Sequence, residues 1–200
     1  MGKLTLISTF YNVQAQMLGI KEFSPSKIIL LKQSNEKNAE LRKNEALLRK
    51  TVGTVCKVES VELKDPYDVL EVAEKTVKLI ESEKKAGNKI IMNLTGGRRT
   101  QALGVLFAAY ARSDMVERLV YAPSDANRIV DLPKLNLSPS KKKREILELM
   151  AKNSHKTMSA LAKKLGKTRG MLYVHLRELK EVGYLDENYN LTMAGRLALL

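Results

Sequence analysis

The chain has 200 residues, 44% hydrophobic and 28% charged, with one cysteine, two histidines and a formal net charge of +13 at pH 7. That balance is globular rather than disordered, no stretch approaches the roughly 20 apolar residues of a membrane span, and the N-terminus lacks a signal-peptide layout. A lone cysteine rules out an internal disulfide framework, two distant histidines leave too few ligands for a zinc site, and a cytoplasmic location follows as the expectation.

KLTLIST (3–9) and KIILLK (27–32) are short, apolar and rich in β-branched residues, and read as buried strands with a helix-length connection between them. SNEKNAELRKNEALLRKTVG (34–53) is a polar amphipathic helix that Gly53 stops. TVCKVESVEL (54–63) alternates like a strand with one wetter face. DPYDVLEVAEKTVKLIESEKKAGN follows, with Asp65 as its N-cap, Pro66 as its first helical residue and Gly87 at its end. NKIIMNL (88–94) is a third buried strand, the apolar LGVLFAAYA (103–111) is a helix, and MVERLVYA (115–122) and NRIVDL (127–132) are the last strand candidates. The alternation predicts an α/β fold: a Rossmann-like, mostly parallel sheet with helices on both faces. Ligands in such folds sit outside the carboxyl ends of the strands, near a topological switch. That rule puts STFYN (8–12) and NLTGG (93–97) at the ligand edge.

Beyond LPKLNLSPSKKK (132–143) the pattern becomes helical. Ser138 and Pro139 read as an N-cap and first helical residue, which divides the chain into domains at 1–136 and 137–200. Residues 1–137 carry 22 Lys+Arg against 16 Asp+Glu, whereas residues 138–200 carry 13 against 6, so the last third holds about half of the positive excess. A local basic concentration is the electrostatic footprint of nucleic-acid binding, with a lysine-rich solubilising surface as the bland alternative. MSALAKKLGKTRGMLYVHLRELKEVGYL (158–185) has the layout of a helix-turn-helix: Leu161 and Ala162 face a core, Gly166 turns the chain, and Leu172, Leu176 and Leu179 recur at three and four residues. The free side of that last helix then carries Arg169, Gly170, Tyr173 and Arg177, with Lys167 and the capping Thr168 at its start. Lys141, Lys142, Lys143 and Arg144 stand in the first turn of an earlier helix, where cations oppose the helix dipole; a DNA backbone or a partner domain's acidic surface would favour them, and a solvated linker run is the bland alternative. YLDENYNLTMAGRLALL is expected to form a hairpin-like end with a wing at Asp186–Asn190. The same core pattern would also serve a three-helix protein-interaction module. LAKKLG, VHLRELKEVGYL and LTMAGR resemble the winged-helix domains of bacterial and archaeal repressors, which implies double-stranded DNA as a partner.

The Thr-Gly-Gly corner lacks both the P-loop and the G-x-G-x-x-G pattern, yet it has the physics of an anion site. Gly96 and Gly97 allow close backbone approach and positive φ, and a helix starting at about Arg98 offers free N–H groups. Arg98 and Arg99 bring forked donors for phosphate, and Asn93 and Thr95 suit a ribose or base. The bland alternative is a tight strand–helix turn with two solvent-facing arginines. NLTGGRRT, STFYN and the C-terminal winged helix together resemble the CRISPR-associated Rossmann-fold (CARF) regulators, above all the archaeal CARF–winged-helix transcription factors.

That resemblance implies a homodimer whose α/β domains bind cyclic oligoadenylate, typically the tetra-adenylate, across the two-fold axis, as an effector and not a cofactor. Thr95, Gly96, Gly97 and Arg99 map onto the family's glycine motif. Thr9, Phe10, Tyr11 and Asn12 map onto its first-strand loop, with Phe10 or Tyr11 against a base. The leading expectation is a ligand-responsive DNA-binding regulator. The second is a metal-independent ring nuclease, in which Ser8 or Thr9 orients the ribose and Arg98 or Arg99 stabilises the developing charge, although neither loop holds a histidine to act as base. LGVLFAAYA serves either as a dimer interface or, more simply, as a helix buried under the sheet.

Overall fold

The computed structural model describes residues 2–34, 38–123, 128–135, 139–152 and 157–200. In chain order the elements are β1 (Leu4–Thr9), α1 (Gln14–Phe23), β2 (Lys27–Gln33), α2 (Ala39–Val52), β3 (Lys57–Leu63), α3 (Val69–Lys85), β4 (Lys89–Asn93), α4 (Arg99–Ala111), β5 (Arg118–Tyr121) and β6 (Val130–Leu132). Four helices follow: α5 (Lys141–Ala151), α6 (Met158–Lys164), α7 (Arg169–Glu181) and α8 (Met193–Leu197). The chain divides into two units, Met1–Asn136 and Leu137–Leu200.

β1, β2 and β4 are apolar almost throughout because both of their faces are covered, as parallel strands require. The sheet order is β3-β2-β1-β4-β5-β6, parallel except where β6 runs antiparallel to β5. Ile7 at the centre pairs with Ile29 on one side and Met92 on the other. Leu6, Ile28, Leu30, Ile91 and Val120 form a core with Ile20 of α1 and Leu41 and Leu48 of α2. Thr5, on the opposite face, donates to Glu83 of α3 at 2.7 Å, and α4 packs so closely on α3 that a Cβ at Gly104 would lie 2.6 Å from Val72. This is the mostly parallel α/β sheet with helices on both faces that the alternation predicts.

Several boundaries differ from the sequence expectation. β3 begins at Lys57, because Thr54–Cys56 close the end of α2, with Cys56 N–H donating to Val52 at 2.9 Å. The N-cap of α3 is Asp68 and not Asp65: Asp68 Oδ1 accepts from Leu70 and Glu71, whereas Asp65 accepts from Tyr67 in the turn before it. Pro66 thus belongs to that turn.

In the second unit, α5 starts after Ser140; Pro139 precedes it, and Ser138 lies outside the described residues. Ile146, Leu147, Met150, Leu161, Ala162, Leu172, Leu176, Leu179 and Leu185 make its core. The wing is held by one antiparallel bridge, Leu185 with Leu191, and by Asp186, whose Oδ1 accepts from the backbone of Asn188 and Asn190. The hairpin-like end does not extend past it. Thr192 caps Gly195 N–H at 3.1 Å and starts the short α8 instead. Among the described residues no helix is long and apolar enough to cross a membrane, and no group of three His, Cys, Asp or Glu could hold a metal.

Glu71 fixes the turn before α3. Its carboxylate accepts from Lys64 N–H at 2.9 Å and Asp65 N–H at 3.0 Å and pairs with Lys75 at 2.8 Å. Partial burial pushes its pKa up, but the hydrogen bonds from Lys75, Lys64 and Asp65 outweigh it and hold the group at about 2. A depressed carboxylate stabilises the fold above its unfolded pKa and loses that contribution as pH falls through the folded one. Glu71→Gln should therefore cost about 1.5 kcal/mol or more at neutral pH, the range for hydrogen bonds to a charged group. In thermal melts the gap to wild type should close between about pH 4.5 and 2.

Candidate functional site

β1 and β4 are neighbours, but the chain leaves β1 toward β2 and β4 toward β5, so the crevice at their carboxyl ends is the switch point of the sheet. The Thr-Gly-Gly corner lies across it. Gly96 has φ +105°, and a Cβ there would meet Gln16 Nε2 at 2.4 Å, so both conformation and space demand glycine. Gly97 is required by space: a Cβ would lie 2.6 Å from Thr9 Cβ and 2.5 Å from Gln101 Oε1. Gly97 N–H donates to Thr9 Oγ1 at 3.2 Å, and Asn12 N–H donates to Gly96 O at 3.3 Å. Gln16, fully buried on α1, donates to Thr9 O at 2.8 Å and accepts from Ser8 Oγ at 3.1 Å. Gln101, buried on α4, accepts Arg98 N–H at 2.7 Å.

Several expected ligand contacts are thereby consumed inside the protein. Ser8, Thr9 and Asn93 are fully buried. Thr9 Oγ1 holds Gly97, Asn93 Oδ1 accepts from Thr95 N–H at 3.1 Å, and Thr95 Oγ1 accepts from Ala122 N–H at 2.6 Å. Of the N–H groups at the start of α4, expected to meet an anion, that of Arg98 is taken by Gln101, and the Gly97 N–H before it is taken by Thr9. Phe10 is only 1% exposed, because the alternation of β1 carries it to the face of Leu6, and its ring packs in the core instead of against a base. Buried and committed, the hydroxyls of Ser8 and Thr9 do not reach out to orient a ribose.

Tyr11, Asn12, Gly96, Gly97 and Arg98 remain open to ligand and line a cavity of about 260 Å³. Arg98 Nη2 donates to Gln33 Oε1 at 3.3 Å, and its guanidinium lies 4.9 Å from the centre of the Tyr67 ring. Tyr67 is exposed on the turn before α3, which Thr100 ties to α4 through a 2.8 Å bond to Pro66 O. Arg99 is exposed and makes no ion pair among the described residues. Sequence reasoning misses Gln16, Gln33, Tyr67 and Gln101. Gln101 alone carries a signal, the glutamine three residues into a helix that reaches back to its cap.

In the second unit, burial of Leu172, Leu176 and Leu179 leaves Arg169, Gly170 and Arg177 exposed, and Thr168 caps α7 through Met171 N–H at 3.3 Å. Tyr173 does not share that face. It is half-buried against the wing, edge-on to Tyr189 with ring centres 6.2 Å apart. Lys167 is half-buried, with its N–H on Ala162 O. Lys141 and Lys142 are exposed. Lys143 pairs with Glu178 at 3.3 Å, and Arg144 binds Glu148 at 3.1 Å and Leu199 O at 2.6 Å, so these two staple the unit itself. Met171 is exposed on α7, and so is Val174, which sequence reasoning does not single out.

A family model described as "HFX_2341_N:-like, N-terminal" matches residues 6–126, and one for winged helix-turn-helix DNA-binding matches residues 134–186. Comparison with curated proteins gives no match. Among solved structures, the chain is similar to Enterococcus italicus Csm6 bound to cyclic hexa-2'-fluoro-hexa-dAMP, with a TM-score of 0.55 and 14% identity over 90% of this chain and 53% of that one. It is similar to Can2 from Sulfobacillus thermosulfidooxidans in complex with cyclic tetra-adenylate, with a TM-score of 0.52 and 17% identity over 96% of this chain and 62% of that one. VC1899 from Vibrio cholerae gives 0.53 and 12% over 98% and 64%. The chain thus spans between about half and two thirds of these proteins, and the likeness is one of fold.

The packing around the corner makes opposite predictions for two glycines. Gly97→Ala should destabilise the chain by about 1–3 kcal/mol, the cost of overpacking. Gly170→Ala, where a Cβ meets nothing within 4 Å, should stabilise α7 by about 0.5–1 kcal/mol. Urea unfolding of the two variants beside wild type checks both signs.

Proposed function

We propose a regulatory function for this chain, which belongs to the HFX_2341_N:-like, N-terminal family and joins a CARF-like α/β domain to a winged helix-turn-helix DNA-binding domain. It is a CRISPR-associated transcription regulator, and cyclic oligoadenylate held by the α/β domain controls its grip on double-stranded DNA. One observation carries this reading: an arginine-bearing glycine corner stands at the switch point of a fold whose neighbours Csm6 and Can2 hold cyclic adenylates, on a chain that ends in a winged helix.

Arg98 and Arg99 present forked donors to phosphate. Arg98 is held ready by Gln33 and the Tyr67 ring, so little of its freedom remains to be lost on binding. Tyr11 offers a ring to a base and Asn12 a polar group to a ribose or base. A cavity of about 260 Å³ suits one nucleotide unit and is too small for a ring of several. A second copy related by a two-fold axis supplies the missing wall, and the repeat of the ring matches that symmetry. α4 suits this arrangement: Gly104, Val105, Ala108 and Ala109 are buried, while Leu103, Leu106, Phe107 and Tyr110 stay exposed or half-exposed at helical spacing on its other side. Ring cleavage has less support, because Ser8 and Thr9 are buried and engaged. Ligand and DNA, if coupled, must change each other's affinity by the same factor.

Calorimetry with cyclic tetra-adenylate should give binding by the full chain, with Arg99→Ala weakened by about 1.5–3 kcal/mol, the range for a lost charge-assisted hydrogen bond. Light scattering in the same samples should give twice 22.5 kDa. A single-chain mass with no heat of binding would overturn the ligand reading.

On DNA, Lys142→Ala should weaken all duplexes alike and lower the slope of log K against log salt by about one, as for a phosphate contact. Binding titrations at several salt concentrations measure that slope.

A further inference from the structure

The outward face of α7 is unusually poor in polar readers. With Leu172, Leu176 and Leu179 turned into the core, helical spacing centres the opposite face on Gly170, Val174 and Arg177. Val174 is 54% exposed at the middle of that face, and Met171, also 54% exposed, stands one turn before it. A Cβ on Gly170 would meet nothing within 4 Å, so the backbone here is open to a close approach. Two large apolar side chains held in water gain nothing for the fold. Their use is a contact that removes them from water.

The surroundings choose the partner. Arg169, Arg177 and Lys163 are all exposed in the same unit, and residues 138–200 carry 13 Lys+Arg against 6 Asp+Glu. Met and Arg also suit a protein interface, but an excess of 13 cations over 6 anions in this unit fits a duplex better, because its phosphates take the positive charge. The one apolar group that a base pair presents in the major groove is the 5-methyl of thymine. α7, RGMLYVHLRELKE, contains no asparagine or glutamine, so the usual bidentate contact to adenine is absent. An A·T pair facing this helix lacks that contact, and its methyl is the feature that an exposed apolar side chain can read.

We propose that Val174, with Met171 beside it, reads the thymine 5-methyl group in the major groove and so tells thymine from cytosine. The proposal rests on the DNA-binding reading above and adds the chemistry that the recognition helix selects. Removing one methyl from such a contact should cost ~4-fold in affinity, the equivalent of one buried methylene.

The test uses the full chain and duplexes of about 24 base pairs, enough for two half-sites one helical turn apart. A tight binder is first recovered from a randomised library and then remade with deoxyuridine in place of thymidine, which deletes only the methyl groups. Wild type should bind the uracil duplex ~4-fold more weakly for each methyl in contact. Val174→Ala, a change at an exposed position, should lower the thymine-to-uracil ratio, with the remaining Cβ and Met171 keeping only part of the contact. Lys142→Ala should weaken both duplexes and keep the ratio. Equal binding of both duplexes by wild type, or an unchanged ratio in Val174→Ala, overturns the methyl reading while DNA binding stands. A library that yields no bound duplex overturns this proposal together with the reading beneath it.

Discussion

The hydrogen bond from Gly97 N–H to Thr9 Oγ1 joins the carboxyl ends of β1 and β4 at the point where the sheet's connections part. Two parallel strands have no ladder beyond their last paired residues, here Ser8 with Asn93, and their ends would diverge with the twist of the sheet. A hydroxyl from one strand end and a backbone amide from the other close that gap. The bond is short-range and tolerates no side chain at Gly97, and the cleft geometry follows from it. Gln16 from one helix layer and Gln101 from the other complete the brace. Buried amides of this kind are costly unless their polar groups are bonded: Gln16 uses both its nitrogen and its oxygen at the end of β1, and Gln101 gives its oxygen to Arg98 N–H at the start of α4.

The result is a floor and a rim with different jobs. Ser8, Thr9, Gln16, Asn93 and Gln101 form a buried floor, in which Ser8, Thr9 and Gln16 bond one another while Asn93 holds Thr95 N–H and Gln101 holds Arg98 N–H. Tyr11, Asn12 and Arg98 stand on the rim, with Tyr67 reaching Arg98 from the turn before α3, while Arg99 is exposed at the first position of α4 and does not line the cavity. Sequence reasoning reaches the place but not this division. A threonine that braces a loop and one that faces a ribose have the same spacing in the chain, so Thr9 and Thr95 read as ligand contacts. Phe10 was legible in principle: Leu6, Ser8 and Phe10 alternate onto one face, and that face is core. Tyr67 carries no local signal, because its value comes from a cation 31 positions later in the chain. The same limit applies to Tyr173, whose place is decided by Tyr189 in the wing. Where the determinants are local the reading is sound, as with the Thr168 cap, the turn at Gly166, where φ is positive, and the leucine spacing of α7.

The basic character of the second unit is likewise divided. Lys143 and Arg144 tie α5 to Glu178 of α7 and to Leu199 beyond α8, so part of the positive charge that composition assigns to DNA also holds the unit together. Exposed ion pairs contribute only about 0–1 kcal/mol, so a phosphate could draw Lys143 away from Glu178 at little cost. Arg144 is different, since its carbonyl contact and its pair with Glu148 would both be lost. Among the described residues Lys141 and Lys142 have neither tie, and they stand at a helix start whose dipole disfavours them. Their placement favours an external anion over internal stability.

A rigid floor also constrains how the proposed regulation would work. Groups that hold the same bonds with and without ligand cannot carry a signal, because a ligand shifts an equilibrium only through contacts that differ between its states. The differing contacts must then lie on the rim or between copies. A tenfold change in DNA affinity corresponds to about 1.4 kcal/mol. One charge-assisted hydrogen bond made in only one arrangement contributes about 1.5–3 kcal/mol. In a two-fold assembly each such contact occurs twice, so a single arginine per copy that meets a phosphate in only one arrangement would suffice for a change of more than a hundredfold. Arg99 fits that part better than Arg98, since Arg98 is already held by Gln33 and Tyr67 whereas Arg99 is exposed with no ion pair among the described residues. The more freely an arginine moves before binding, the more its capture can differ between two arrangements.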